Sequence, residues 1–319
     1  MNTIREISPT EFSVWESLIS RSSTATFFQN PDWLEIWDRH FQPKKHILGV
    51  FENEEIIGIA PITETGDTLE LIPVARVFGK EMVSDYGDLI IKTGYEKAVW
   101  DAVIRELKSR FPQKPFILDF IREDSPSFGI LQEMGGQSKQ TDVAPFLLLP
   151  ENCDTYLSLL DRKDRHELRR KLRRLEEAGA FKVCYEGEPS DVEEFFRLMS
   201  LSAVEKEHFL TVQMRQFFKD VLNHYWEKKM LELCFLKVEG KNIAVAMGFK
   251  YGNEFLLYNS GYDPAYNALA PGLLLVAFTI KHSIEEKMKR YDFLRGNERY
   301  KYDLGGKDRR LYQFTFNLV

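Results

Sequence analysis

Three stretches of the chain carry side chains able to do chemistry. The segment Arg162 to Arg174 (RKDRHELRRKLRR) holds eight Lys and Arg against two acids, a local charge of +6 in a chain whose net charge is -6. Arg162, Arg165, Arg169 and Arg173 recur at three- and four-residue steps, which places them on one side of a helix. Leu157, Leu160, Leu168, Leu172 and Leu175 supply a narrow apolar stripe beside them. Such a row suits a polyanion such as a nucleotide diphosphate, coenzyme A or tRNA. A solvated face paired with acids such as Glu176 and Glu177 is the alternative reading. The second stretch, EFLLYNSGYDPAYNALAPGLLLVAF, passes from strand to helix through Ser260-Gly261 and Asp263-Pro264, and Ala270-Pro271-Gly272 opens the helix. A helix N-terminus placed after a strand has free amides and a positive dipole end, a site for a pyrophosphate, although any buried helix can begin this way. In the third, YDFLRGNERYKYDLGG, a strand runs into Arg295, Asn297, Glu298, Arg299 and Lys301. Glu298 or Asp263 can take a proton from an attacking amine, and Lys301 or Arg295 can meet an oxyanion or hold phosphates. A salt-bridged loop beside the last strand, LYQFTFNLV, is the structural reading of the same residues.

The elements that must position these residues follow from periodicity. A helix opens after Ser8 with Pro9 in its first turn, and Pro31 begins another, PDWLEIWDRHF, whose Trp33, Ile36, Trp37 and Phe41 share a face. HILGVFE, a polar turn and IIGIAPI read as a hairpin, and TLELIPV and YGDLII continue the sheet. A helix over 95–110, the buried strand PFILDFI and a short helix over 126–134 ending at Gly135-Gly136 complete one α/β unit. The second half repeats the order. Its hairpin LCFLKVEGKNIAVAMGFKY aligns Ile243 to Ala246 with Ile57 to Ala60, and a helix over 271–289 follows as 95–110 did. Tyr291-Asp292-Phe293-Leu294-Arg295 then answers Leu118-Asp119-Phe120-Ile121-Arg122. Between the halves the pattern predicts a long helix over 154–178, the strand FKVCYE, and helices over 192–206 and 212–228.

Composition narrows the class. At 319 residues, 44% hydrophobic and 29% charged, the chain is neither disordered nor fibrous, and its length suits two domains. The longest uncharged apolar run, Ala268 to Ile280, is short of a membrane span, and the N-terminus has no basic segment followed by an apolar one, so a cytoplasmic protein is expected. Cys153, Cys184 and Cys234 are too few and too far apart for a disulfide framework or a zinc site. The six histidines show no metal-binding spacing, and neither a GxSxG elbow nor a GxxxxGK[ST] loop occurs, so hydrolase and P-loop readings lack support.

Taken in order, FFQNPDWLEIW, RKDRHELRRKLRRLEEAG, LYNSGYDPAYNALAPGLLL and YDFLRGNERYKYDLG resemble the GNAT-like acyltransferases over nearly the whole chain. The branch they are most similar to is the cellulose-biosynthesis-associated acetyltransferases, which are related to the Fem aminoacyltransferases of peptidoglycan bridge formation. The resemblance implies an α/β (mixed α+β) protein of two tandem GNAT-like domains, each a mixed sheet flanked by helices, with the acyl donor held by the C-terminal copy. It also implies a donor-pyrophosphate loop at Ala270-Pro271-Gly272, a basic helix like the one that helps bind a phosphorylated acceptor in the Fem relatives, and a site lysine at Lys301. Two departures stand out: a clear Q/R-x-x-G-x-G/A loop is missing, which bears on coenzyme A use, and so is a coiled-coil arm, which bears on a tRNA-borne donor.

The expectations are as follows. Residues 1–150 form an N-terminal GNAT-like domain and 151–319 a C-terminal one carrying the donor site. The protein is an N-acyltransferase that moves an acyl group from acyl-CoA or acetyl-CoA, without a metal, to an amine of a small-molecule or cell-envelope precursor. Asp263 or Glu298 acts as base directly or through water, a backbone amide or Lys301 meets the oxyanion, and Tyr258 or Tyr262 protonates the leaving thiolate. Ala270, Pro271, Gly272 and Leu273 hold the donor, and Arg162, Arg165, Arg169 and Arg295 hold the acceptor or its phosphates. A tRNA or carrier-protein donor and a non-catalytic module of envelope polysaccharide assembly are the alternatives; DNA and integral membrane association are not expected.

Overall fold

A run of β-branched and aliphatic residues broken by one polar turn builds a hairpin at two places in the chain, one in each of two sheets. The computed structural model describes residues 2–8, 12–75 and 83–318. In chain order the first unit contains β1 (Thr3–Glu6), α1 (Phe12–Ile19), α2 (Pro31–Phe41), β2 (Lys44–Glu52), β3 (Glu55–Thr65) and β4 (Thr68–Leu71). It continues through β5 (Ile90–Ile91), α3 (Glu96–Arg110), β6 (Pro115–Arg122), α4 (Pro126–Glu133) and β7 (Gln137–Val143). The helix start expected at Pro9 lies outside the described residues. Asn30 caps α2 by accepting from the amide of Asp32 at 3.0 Å, and Pro31 fills the first turn, where no amide donor is needed. Trp33, Ile36 and Trp37 are buried, as their spacing predicts.

The second unit holds β8 (Phe146–Leu148), α5 (Cys153–Leu159), α6 (Arg162–Glu177), β9 (Phe181–Cys184), α7 (Val192–Ser202), α8 (Val204–Phe209) and α9 (Val212–Glu227). Then come β10 (Leu231–Val238), β11 (Lys241–Tyr251), β12 (Glu254–Tyr262), α10 (Pro271–Glu285), β13 (Arg290–Asp292) and α11 (Arg299–Asp303). The last strand, β14 (Arg310–Asn317), pairs with β6 and β7 and so belongs to the first sheet.

Both sheets are mixed and follow one plan. The first runs β1-β2-β3-β4-β6-β14-β7, with β5 also against β3, and the second runs β9-β10-β11-β12-β13-β8. In each, a single parallel pair, β4 with β6 and β12 with β13, sits at the same place in an otherwise antiparallel ladder. A helix, α3 or α10, makes the crossover that a parallel pair requires. Two tandem mixed sheets of the same order are the architecture expected from the repeat. In the first unit Val99, Trp100, Val103 and Leu107 of α3 are buried, and Gly58 admits Val99: an added Cβ would lie 2.5 Å from its Cγ1. In the second, Leu274, Leu275, Ile280 and Ile284 of α10 are buried with Cys234, Leu236, Ala244 and Ala246 of the hairpin.

Five features differ from the sequence reading. The helix expected over 154–178 is two helices, because Leu160 is extended (φ -68, ψ 146) between α5 and α6. The helix expected over 192–206 breaks at extended Ala203 (φ -164, ψ 143), leaving the short α8. Of YGDLII only Ile90 and Ile91 form strand, and the strand at Tyr291 stops at Asp292. Contacts also divide the chain at Val143/Ala144 and return Arg309 onward to the first unit, where the sequence reading kept 151–319 in one piece. The tail is apolar on one face, and Leu311, Phe314 and Phe316 are buried in the first unit's sheet.

Candidate functional site

In the second unit the parallel pair comes apart. β12 and β13 are in register from Glu254/Arg290 to Leu256/Asp292 only, whereas β12 continues to Tyr262, paired on its other side with β11. The edge of β12 from Leu257 to Tyr262 is therefore open where β13 ends. A bulge falls in this open stretch: Met247 opposes Asn259 and Gly248 opposes Leu257, leaving Tyr258 as the extra residue, and bulges re-aim a strand and its side chains. The Tyr258 ring packs against Phe218 and Phe249 at centroid distances of 6.0 and 5.4 Å.

After β12, Asp263 caps the 3-10 turn Pro264–Leu269, its carboxylate accepting from the amide of Ala265 at 3.0 Å. The chain then turns at Ala270, which is left-handed (φ 52), and enters α10 through Pro271. No side chain caps α10, so the amides of Gly272 and Leu273 point out of its first turn. Tyr262 lies over Gly272, 3.1 Å from where a Cβ would be.

The basic helix is the wall opposite this turn. A cleft of about 1130 Å3 is lined by Arg162, Lys163, Arg165, Arg169 and Lys171 of α6, by Leu273 of α10, and by Arg299, Asp303 and Leu304 at α11. With Asp164 and Glu167, the lining carries six cations against three acids. Two of those acids are engaged. Glu167 accepts from Arg170 at 2.6 and 2.9 Å and from Lys171 at 2.9 Å, bonds that lower its carboxyl to about 2. Asp303 accepts from Arg299 at 2.7 Å. Arg165 donates to the carbonyls of Leu157 and Ser158 at 3.4 and 3.3 Å, holding the end of α5. Arg162, Lys163 and Arg169 make no ion pair among the described residues. Arg174 donates to the carbonyl of Ala268 at 2.9 Å and ties α6 to the turn before α10. Leu168 and Leu172 are half-buried and Leu175 is buried, so the apolar stripe anchors α6 while the arginine row faces out.

Beyond β13 the chain makes a strained turn. Leu294 is left-handed (φ 55), its amide donates to the Asp292 carboxylate at 2.8 Å, and Gly296 (φ 112) leaves room for the Glu298 carboxylate. Lys301, 2% exposed, clamps this turn: its ammonium donates to the carbonyls of Leu294, Arg295 and Gly296 at 3.1, 2.8 and 3.1 Å and pairs with Glu298 at 2.9 Å. The expectation that Lys301 meets an oxyanion thus falls on an ammonium whose protons already hold backbone carbonyls. Glu298 keeps 58% of its side chain exposed. Burial pushes the Tyr300 phenol well up, and its hydroxyl is hydrogen-bonded with the side chain of Ser260 on the open edge.

The structure therefore brings Arg162, Arg165 and Arg169 together with Leu273, with Arg174 tying α6 to Ala268 just before the Ala270-Pro271-Gly272 turn, and it brings Glu298 and Lys301 together near Ser260 of the open edge. Arg295 does not line the cleft; it belongs to the clamped turn. Asp263 is turned to its cap. One residue escaped the sequence reading. Lys206 of α8 donates to the carbonyl of Ser260 at 2.5 Å, and burial lowers its ammonium, with Glu298 opposing and Lys301 adding to that shift. Elsewhere in this unit the ligand atoms of Glu232, His282 and Glu286 lie within 4.8 Å of one another, and the cation among them is Lys250, at 2.5 Å from Glu232 and 2.6 Å from Glu286.

Residues 162–302, the stretch holding the basic helix, the open strand edge and the clamped turn, match the family described as an acetyltransferase (GNAT) domain. Among curated proteins none matches the sequence. Solved structures share the fold over almost the whole chain. FemX is 13% identical with a TM-score of 0.69, over 99% of this chain and 97% of that one. The C-terminal domain of a putative lysylphosphatidylglycerol synthetase from Agrobacterium fabrum is 11% identical with a TM-score of 0.60, over 97% and 92%. A tandem GNAT protein from the clavulanic acid biosynthesis pathway is 10% identical with a TM-score of 0.54, over 100% and 99%. The chain thus shares the fold of FemX and of a tandem GNAT protein, and within its second unit residues 162–302 match an acetyltransferase (GNAT) domain.

Proposed function

We propose that this chain, GNAT-like in both units, transfers an acyl group from an acyl-CoA thioester to an amine of a small-molecule or cell-envelope precursor. One observation carries the reading: the arginine row of α6 and Leu273, in the uncapped first turn of α10, border one cleft. The Leu273 amide at a positive helix end and the guanidinium groups of Arg162 and Arg169, which make no ion pair among the described residues, border that cleft, and such groups suit a pyrophosphate and a further phosphate. In this reading Arg162, Arg165 and Arg169 hold donor phosphates together with Ala270 to Leu273, where the sequence alone suggested the acceptor. The thioester arm, in the same reading, follows the gap between β12 and β13. The amine arrives beside Glu298, whose exposed carboxylate attracts an ammonium. Lys301 acts through the turn it clamps.

A second reading keeps the fold and changes the donor to aminoacyl-tRNA. The length of the arginine row and the likeness to FemX favour it. Thiol release from acetyl-CoA in the presence of a panel of amines tests the first reading. Release above the amine-free rate is the expected result; no release with any amine, together with transfer from aminoacyl-tRNA, would replace the first reading by the second.

A further inference from the structure

Lys206 has the surroundings of a reacting group. α7 lies directly on β12, with its backbone at Leu198 and Met199 only 2.5 Å from where a Cβ on Gly261 would be, and the extended break at Ala203 then swings α8 over the strand. That path sets the Lys206 amine on the Ser260 carbonyl at 2.5 Å, in the part of β12 without a partner on its β13 side. The charges acting on it come from one place, Glu298 and Lys301 at the start of α11; α7, α8 and β12 bring no charged side chain that acts on it among the described residues. Burial leads the causes that lower its ammonium, with Lys301 adding to the shift and Glu298, paired with Lys301 at 2.9 Å, opposing it. Once it has lost a proton, the amine in this position still donates one N–H to Ser260 and has a lone pair for a substrate's proton.

We propose that Lys206 is the base of the acyl transfer, taking a proton from the acceptor's ammonium beside Glu298. The assignment rests on the acyl-CoA reading above. Of the ammonium's three protons, one goes to the Lys206 nitrogen and from there to solvent. The freed lone pair forms the C–N bond at the thioester carbonyl carbon, the C–S bond breaks with its electron pair left on sulfur, a second proton passes to that sulfur, and the third stays on the amide nitrogen. No oxidant, metal or further reactant enters.

Two measurements test this. In the wild-type chain, competitive labelling with acetic anhydride across a pH series, read by mass spectrometry, should show Lys206 titrating below the exposed lysines; a midpoint equal to theirs overturns the proposal. Thiol release from acetyl-CoA is then compared with ethylamine, a protonated acceptor at neutral pH, and with hydroxylamine, which is already neutral there. Lys206→Arg keeps a donor for Ser260 but not a base. It should lose about 100-fold in turnover with ethylamine, with the KM for acetyl-CoA unchanged, and little with hydroxylamine. Equal loss with both amines means a structural role, and loss with neither means no role; each overturns the proposal alone. A wild-type chain that releases no thiol with either amine refutes the acyl-CoA reading, and the proposal falls with it.

Discussion

The Lys301 ammonium shows how one buried charge can serve a site without touching substrate. Three carbonyls and one carboxylate surround it, so Lys301→Met leaves those acceptors unsatisfied around a left-handed Leu294. The variant should lose about 2–3 kcal/mol of unfolding free energy in urea titration, with activity falling through loss of the turn. An unchanged midpoint would show that the clamp is not holding strain. A second residue-scale prediction concerns Glu232, Lys250, His282 and Glu286. Hydrogen bonding to Glu232 leads the causes that raise His282 above its ordinary 6.5, so that part of the network's stability is complete below 6.5 and is lost as pH rises through the raised value. Bonds from His282 and Lys250 outweigh burial and lower Glu232 below 4.5, so its part is complete above 4.5 and is lost as pH falls through the lowered value. The thermal midpoint of His282→Gln should therefore lag the wild type most between these pH limits and least at high pH. A constant gap across pH would contradict the coupling. At this scale the sequence was legible where charge was dense, at Arg162 to Arg174 and at Arg295 to Lys301. Lys206 was not, because its environment is made by β12 and α11, more than 50 residues away along the chain.

At the scale of elements, hydrophobic periodicity and the two prolines, Pro31 and Pro271, marked helices that the structure contains. The breaks at Leu160 and Ala203 were hidden because neither position holds glycine or proline; both are imposed by tertiary packing. Leu160 is buried with Tyr156 and Leu175 in the second core, and Ala203 lets α7 stay flat on β12 while α8 turns over it. The short reach of β13 was equally hidden: Phe293 and Leu294 are apolar and read as strand, yet both are buried in a turn. The closeness of α7 and β12 makes a sharp prediction. Gly261→Ala puts a methyl 2.5 Å from α7 backbone atoms, which cannot yield as a flexible side chain would. It should cost about 1–3 kcal/mol and shift Lys206 off Ser260, seen as a labelling midpoint for Lys206 nearer that of exposed lysines. Wild-type stability and an unmoved midpoint would contradict the packing described.

At the scale of the whole molecule, the repeated order of hairpin, crossover helix and parallel strand was legible because each copy has its own apolar rhythm. The return of the tail to the first sheet was not, since one strand of alternating apolar residues fits any sheet edge. Deleting residues 309–319 removes β14 from between β6 and β7 and exposes both. The first unit should then unfold or become protease-sensitive, while fragments covering 144–308 resist; uniform resistance to limited proteolysis would contradict the division. The central claim concerns the cleft of the second unit. Calorimetric titration of acetyl-CoA and acetyl-pantetheine into the wild type and into a double variant, Arg162→Glu with Arg169→Glu, tests it most directly. The account predicts that the wild type binds acetyl-CoA much more tightly than acetyl-pantetheine, and that the double variant, with its unliganded melting temperature unchanged, loses roughly 100-fold in acetyl-CoA affinity. Equal affinity of both proteins for acetyl-CoA, or no binding by the wild type, would contradict it.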